Sequence, residues 1–434
     1  MYKKMKLFTT ALLTVLMVSG LLPQIGYAAE SDFSVNAKAA ISIDFETGKV
    51  FYNQNADKPM GIASVSKIIS IYLVEEAIEN GDLNWDDEVE ISEYAAELSV
   101  DPDLSNVPLD VDTTYTVQEL YEAALIQSAN AAIVALAEHI AGSEPKFVDM
   151  MQEKLQSWGI DDATVVNSSG LNNEYLGDNI YPGSKSTDEN LLSAKDVAIV
   201  ARHLINDYPD VLETTSTPTK MFGEDTNSPV EMVNWNWMLP GFVNEKEGVD
   251  GLKTGTTDKA GACFVGTMLK DDQRIITVVL NATNHETDPS ARFVETSNLM
   301  DYTFENWEQT EVETNNQKVK KLNSVAVVDG KEETVPVKMD GDTTVWVRSD
   351  MDDTNLAFDA SLTKKIAKND GIQAPSEKGS KVGTTTVQLA EDDLGYVDDA
   401  DIPTTDLVTT KEMDKANFFV LIGRQIQDFF TNLF

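Results

Sequence analysis

Three short groups of residues could together carry out acyl transfer: Ser64-Val65-Ser66-Lys67, Ser128-Ala129-Asn130 and Lys253-Thr254-Gly255. Serine is a weak nucleophile at its free pKa and needs an adjacent base to take its proton. Residues three apart on a helix share a face, so Lys67 can set its amine beside the Ser64 hydroxyl. A lysine serves as base only when neutral, and burial or a neighbouring cation lowers its pKa. Lys253 can supply that cation across a cleft. Ser66 lacks a lysine three residues on, so Ser64 is the expected nucleophile. Near a helix start, unpaired backbone amides also face a developing oxyanion.

Ser128 and Asn130 fall at an expected break between helical runs, so both side chains can face one cleft. Ser128 can pass a proton toward a leaving amine. Two roles stay open for Asn130: donating to a substrate amide, or steadying Lys67. Lys253 to Thr256 would form the strand edge of the cleft, where an extended substrate laid antiparallel gains backbone hydrogen bonds. The amides of Thr256 and Ser64 would make the oxyanion hole. Lys253, with the hydroxyls of Thr254 and Thr256, could hold a substrate carboxylate, and Gly255 lets backbones approach closely. Arg292 is a further candidate for that carboxylate, with a structural salt bridge as the competing role. SxxK and KTG each occur by chance in many chains. Their order, with the middle motif between them, makes the reading specific.

The elements that must position these groups can be read from periodicity. AAISIDFETGKVFYNQNAD alternates around an ETGK turn, as a β-hairpin does. Apolar residues then recur at helical spacing from Lys58 to Gly81, and again through TVQELYEAALIQSANAAIVALAEHIAG with a break near Gln127 to Asn130. Further helices are expected over 144–158 and from Ser193 to a closing proline. KAGACFVGTMLKDDQRIITVVLNAT reads as two strands around KDDQ, and SARFVETSNLMDYTFENW as a helix. Strands from both ends of this stretch would join in one antiparallel sheet with helices packed on it, an α/β domain over 29–308. Short strand candidates between Gly, Asp and Asn turns follow, predicting a small β-rich domain over 309–410 without a catalytic cluster.

Both ends read differently. Lys3, Lys4 and Lys6 precede an apolar run, and small residues at Gly26 and Ala28 fit a signal peptide over 1–28. In the last segment, 411–434, Phe418, Phe419, Ile422, Ile426, Phe429, Phe430 and Leu433 share one helical side. Polar residues interrupt the rest, which disfavours a span and fits an amphipathic helix lying on a membrane surface. Docking on the protein itself or on a partner chain is the alternative.

The chain carries 33 basic and 73 acidic residues, a formal charge of -40. Such a surplus excludes nucleic acid as a partner, because backbone binding needs cationic patches. Either solubility in a salty exterior or a simple solvated surface accounts for it. The single cysteine, Cys263, excludes an internal disulfide and lies in an apolar run where a buried structural role is expected. His139, His203 and His285 show no metal-ligand spacing, so neither metal nor other cofactor is expected.

S-x-x-K, S-D-N and K-T-G are shared by penicillin-binding proteins and class A β-lactamases. Here the middle motif carries alanine. The longer strings ASVSKIIS, QSANAA, NSSGL, GLKTGTT and ARFVET resemble D-alanyl-D-alanine carboxypeptidases, the low-molecular-mass penicillin-binding proteins of the DacA-like type. The resemblance implies a transpeptidase/β-lactamase-like fold, and a substrate that is a peptidoglycan stem peptide ending in D-Ala-D-Ala. It implies that Ser64 is acylated by that peptide and by β-lactam antibiotics, with Lys67 as base. Ser128 and Asn130 would form the opposite wall. Lys253 and Thr254 would recognise the terminal carboxylate, aided by the Thr256 amide and by Arg292. Some relatives carry histidine at the Thr256 position. An exported protein held on the outer face of the cytoplasmic membrane is implied. A D,D-endopeptidase is one rival reading. A class A-like β-lactamase is another, and it would need a deacylating glutamate, for which Glu174 and Glu189 are the candidates.

Overall fold

The computed structural model describes residues 33–431 except 225, 227–228, 315–318, 320–321, 351–354, 391 and 399–401. The expected signal peptide, 1–28, lies outside the described residues, as does Leu433.

Strands β1 (Ala37–Asp44) and β2 (Val50–Gln54) form the first hairpin, closed by Gly48 at φ +66°. Helix α1 (Lys67–Glu79) follows, entered through a 3-10 turn over Ala63–Ser66. Next come α2 (Val117–Ile126) and α3 (Asn130–Ala141). Thr116 and Glu119 build a reciprocal capping box at the start of α2. Between α2 and α3 the chain breaks at Ser128, whose φ is +58°. Helices α4 (Glu144–Ser157) and α5 (Ala194–Asp207) complete the layer. Strands β3 (Val249–Thr257), β4 (Gly261–Lys270) and β5 (Gln273–Ala282) then return, and α6 (Ala291–Asn306) closes the region.

The five strands form one antiparallel sheet in the order β2-β1-β5-β4-β3. The N-terminal hairpin therefore pairs with the last strands, β1 against β5, as the sequence led us to expect. One sheet face packs on α1 to α5, through Ile41, Ile43, Cys263, Val265, Ile276 and Val278. Cys263 is fully buried, and burial pushes its thiol up to about 11, so it packs as a small apolar side chain. Sequence reasoning missed the short helix Glu93–Ser99, capped by Ser92.

The opposite sheet face carries Phe51, Phe264, Met268 and Ile275, and its apolar cluster continues into a second β-rich region. That region holds β6 (Trp307–Val312), β7 (Ser324–Val328), β8 (Thr334–Asp340), β9 (Thr343–Arg348), β10 (Leu356–Leu362), β11 (Ile372–Gln373), β12 (Lys381–Leu389) and β13 (Thr404–Thr409). Six of them make a sheet in the order β10-β12-β13-β8-β7-β11, and β6 pairs with β9. Phe51 contacts Trp307 and Trp346 with ring centroids 5.3 and 4.8 Å apart.

A polar clasp reinforces this junction. Lys49 is 1% exposed, and its ammonium meets Asp392 at 3.0 Å and lies 4.5 Å from the Trp307 ring centroid. Residues 395–397 run alongside the β2 end of the hairpin, with Val50 N–H donating to the Gly395 carbonyl and Val397 N–H to Gly48. A loop of the second region thus pairs with the outer edge of the first sheet at Gly48 to Val50, where β2 begins.

The final helix, α7 (Phe418–Thr431), leaves Phe418, Phe419, Ile422 and Ile426 exposed. Arg424 fastens its other side, donating to the carbonyls of Gly330 and Lys331 and pairing with Glu333. The side chains of Phe429 and Phe430 lie outside the described residues. Among the described residues no helix is long and apolar enough to cross a membrane.

Candidate active site

The three motifs converge. Ser64 sits in the 3-10 turn, and Lys67 is the first residue of α1. The Lys67 amine donates to Ser64 Oγ at 2.9 Å, to Asn130 Oδ1 at 2.7 Å and to the Ser169 carbonyl at 2.8 Å. Asn130 spends its own amide on the Ser105 carbonyl at 3.0 Å. Of the two roles left open for Asn130, the geometry supports steadying Lys67.

Lys67 is fully buried. Burial first, and the charge of Lys253 second, hold its pKa well below the ordinary lysine value. A neutral amine has two N–H bonds and one lone pair. The carbonyls of Asn130 and Ser169 can absorb both N–H bonds, which turns the lone pair toward the Ser64 hydroxyl. This is the arrangement a general base requires.

Lys253 lies on β3, the strand at the other edge of the sheet. Its amine donates to Ser128 Oγ at 2.9 Å. Burial, then the nearby Arg292 guanidinium, lowers its pKa to about 7. Ser128 occupies the left-handed region, which is uncommon for a residue other than glycine and marks backbone held by its surroundings.

Gly255 lets β3 press against the nucleophile turn: a methyl group there would stand 3.0 Å from the Ser64 nitrogen and 2.9 Å from the Val65 nitrogen. Ser64, Ser128, Thr254, Gly255, Thr256 and Arg292 line one cleft of about 410 Å³. Its remaining wall includes Asp103, Ser105, Trp235, Trp237 and Phe293. The sequence motifs gave no hint of the tryptophans, which reach the cleft only through the fold.

Arg292 donates to the carbonyls of Gly255 and Cys263 and to Thr256 Oγ1 at 2.7 Å. Among the described residues no carboxylate pairs with it, and its buried Nε has no partner. The competing salt-bridge role is therefore not the one seen. The guanidinium props the strand edge and keeps positive charge at the cleft.

Neither candidate glutamate for a lactamase-like water lines this cleft. Glu189 is buried and accepts from Thr257 Oγ1 at 2.9 Å, while Glu174 is exposed. Among the described residues no cluster of histidine, cysteine or carboxylate side chains could hold a metal ion. His203 stacks on Trp158 with centroids 4.4 Å apart.

A family model described as D-alanyl-D-alanine carboxypeptidase matches residues 26–284. The chain belongs to this family. A second model, the C-terminal domain of penicillin-binding protein 5, matches residues 307–415. D-alanyl-D-alanine carboxypeptidase DacF of Bacillus subtilis is 30% identical over 401 residues, which are 92% of this chain and 91% of that protein. The structure of a peptidoglycan synthesis regulatory factor (PBP3) from Streptococcus pneumoniae is 44% identical. It superposes with a TM-score of 0.69 over 88% of this chain and 100% of that one. Penicillin-binding protein D2 of Listeria monocytogenes, in an ampicillin-bound form, is 33% identical with a TM-score of 0.51, covering 63% of this carboxypeptidase-family chain and 99% of its own.

Proposed function

We propose that this chain is a serine-type D-Ala-D-Ala carboxypeptidase that removes the terminal D-alanine from peptidoglycan pentapeptides and is acylated by β-lactams at the same serine. The observation that carries the mechanism is the buried Lys67 amine, set between Ser64 Oγ and two carbonyl acceptors.

Ser64 Oγ attacks the carbonyl of the penultimate D-alanine while Lys67 takes its proton. The amides of Ser64 and Thr256 receive the negative charge that develops on the carbonyl oxygen. The substrate carboxylate binds Lys253, Thr254 and Thr256, with Arg292 behind them. Ser128, held by Lys253, relays a proton to the departing D-alanine amine. Water then hydrolyses the ester on Ser64, and the tetrapeptide leaves. No cofactor takes part in these steps. The position of Glu189 away from the cleft favours a carboxypeptidase over a class A-like β-lactamase.

Residues 29–308 form the catalytic domain in this reading, 309–410 a β-rich spacer, and 411–434 the attachment to the membrane. The exposed Phe418, Phe419, Ile422 and Ile426 would enter the lipid interface, placing the exported enzyme at the outer face of the cytoplasmic membrane. The test is D-alanine release from diacetyl-L-Lys-D-Ala-D-Ala by residues 29–416, with Ser64→Ala as control. Release that disappears in the control supports the reading. A folded wild type that releases nothing sinks it.

A further inference from the structure

Lys67 needs two fixed acceptors, and one of them, the Ser169 carbonyl, belongs to a loop with no regular structure. What fixes that loop is a question the motifs do not answer. The preceding residue, Ser168, is fully buried. Its N–H donates to Glu144 Oε1 at 2.9 Å and its hydroxyl to the same oxygen at 2.6 Å. Its carbonyl accepts from Ser70 Oγ at 2.7 Å. On the other side, Gly170 N–H donates to Asn167 Oδ1 at 2.6 Å. Glu144 is only 3% exposed and lies at the start of α4, outside every motif. Its second oxygen receives the Tyr94 hydroxyl at 3.3 Å.

We propose that Glu144 is a positioning residue for catalysis, clamping Ser168 so that the Ser169 carbonyl orients the amine of the general base. The inference rests on the carboxypeptidase reading, in which Lys67 is that base. A bland alternative exists: an acidic side chain in the first turn of a helix stabilises the helix through its dipole. The two accounts order substitutions in opposite ways. Glu144→Gln keeps an oxygen acceptor at the same reach but loses the charge. Glu144→Asp keeps the charge and remains a good first-turn residue, yet draws the acceptor back by one methylene. A clamp favours glutamine, and a dipole effect favours aspartate.

The experiment measures penicillin acylation of the exported chain, 29–434, by stopped-flow with a fluorescent penicillin. It separates the acylation rate constant from the constant for reversible binding, and melting temperatures are recorded alongside. We expect Glu144→Gln to retain most of the acylation rate. Glu144→Asp should lose about tenfold or more, since a 1 Å misplacement caused by a change away from the chemistry can cost about 10²-fold. Reversible binding should be unchanged in both, because Lys253, Thr254 and Thr256 are untouched. An acylation rate in Glu144→Asp equal to or above that in Glu144→Gln overturns the proposal. So does a loss confined to reversible binding. Absence of acylation in the wild type sinks the carboxypeptidase reading itself, and the clamp with it.

Discussion

The amine of Lys253 donates to the hydroxyl of Ser128 at 2.9 Å, joining the edge strand β3 to the break between α2 and α3. The charge of Lys253 lies close enough to Lys67 to lower its pKa, after the larger effect of burial. Ser128, the partner of Lys253, has a φ of +58°, a conformation uncommon for a residue other than glycine. In the proposed mechanism the two lysines divide the work: Lys67, held well below the ordinary lysine value, takes a proton, and Lys253 supplies charge.

This division has a pH signature. Burial and the charge of Lys253 hold Lys67 well below the ordinary lysine value, so acylation should fall on the acid side of the profile, as the amine protonates. Lys253, lowered to about 7, loses its charge as pH rises through that value in the free enzyme. The profile of kcat/KM should therefore be bell-shaped with an alkaline limb near 7. A bound substrate carboxylate favours the charged form, so the alkaline limb of kcat should lie at higher pH. Steady-state kinetics between pH 4 and 10 would check this, and limbs that coincide would contradict it.

Lys67→Arg should be a severe variant. Arginine has a similar reach and supplies N–H donors, but it stays charged and does not give up its proton in a protein, so it offers no lone pair to Ser64. Loss of general-base catalysis is expected to slow acylation by about 10²–10⁴-fold. Labelling by fluorescent penicillin over time reads this directly, and a variant within threefold of wild type would exclude Lys67 as the base.

Gly170 lies at φ +81°, and a methyl group there would overlap the Ala63 carbonyl and approach Ser66 Oγ to 2.8 Å. Neither the backbone nor the nucleophile turn can yield cheaply. Gly170→Ala should cost about 3 kcal/mol or more, at or above the upper end of overpacking substitutions. Urea denaturation followed by tryptophan fluorescence is the appropriate measurement.

Lys49 and Asp392 provide a test of the junction. Their side chains are 1% and 8% exposed. Lys49→Ala leaves a carboxylate buried without its partner and should destabilise the chain by about 3–5 kcal/mol. The double variant Lys49→Met, Asp392→Leu removes both charges and should recover most of that loss. Denaturant titration of the single and double variants gives the comparison.

Removing α7 should release the chain from anionic or neutral lipid vesicles while leaving hydrolysis of a soluble peptide unchanged. Cosedimentation of 29–434 against 29–416 measures the first, and D-alanine release the second. Equal binding of both chains would place the attachment elsewhere.

Much of the sheet was legible because strand alternation and helical spacing are local. The hairpin at Ala37–Gln54, the pair around Asp271 and Asp272, and the break at Ser128 all follow from residues within a few positions of one another. The motif residues were legible for a similar reason: each short string carries its own chemistry. Glu144, the Ser169 carbonyl and the tryptophans of the cleft were not. Each acts through a contact with residues more than twenty positions away, and a backbone carbonyl leaves no trace in residue type. Asn130 shows the intermediate case. Its presence at the site was expected, but only the bond to Ser105 shows where its amide is spent.

The covering of the hairpin by residues 395–397 bears on how the molecule avoids sticking to itself. An open strand edge is a template for pairing with another chain. The first sheet has two such edges, and the loop at Gly395 blunts the one at β2. The other, β3, has no strand beside it among the described residues and faces the cleft. In the proposed mechanism this is the edge on which an extended peptide would lie. A chain ending at Asn306 would bare the β2 end of the sheet together with Phe51, and should self-associate even though every residue of the cleft is present.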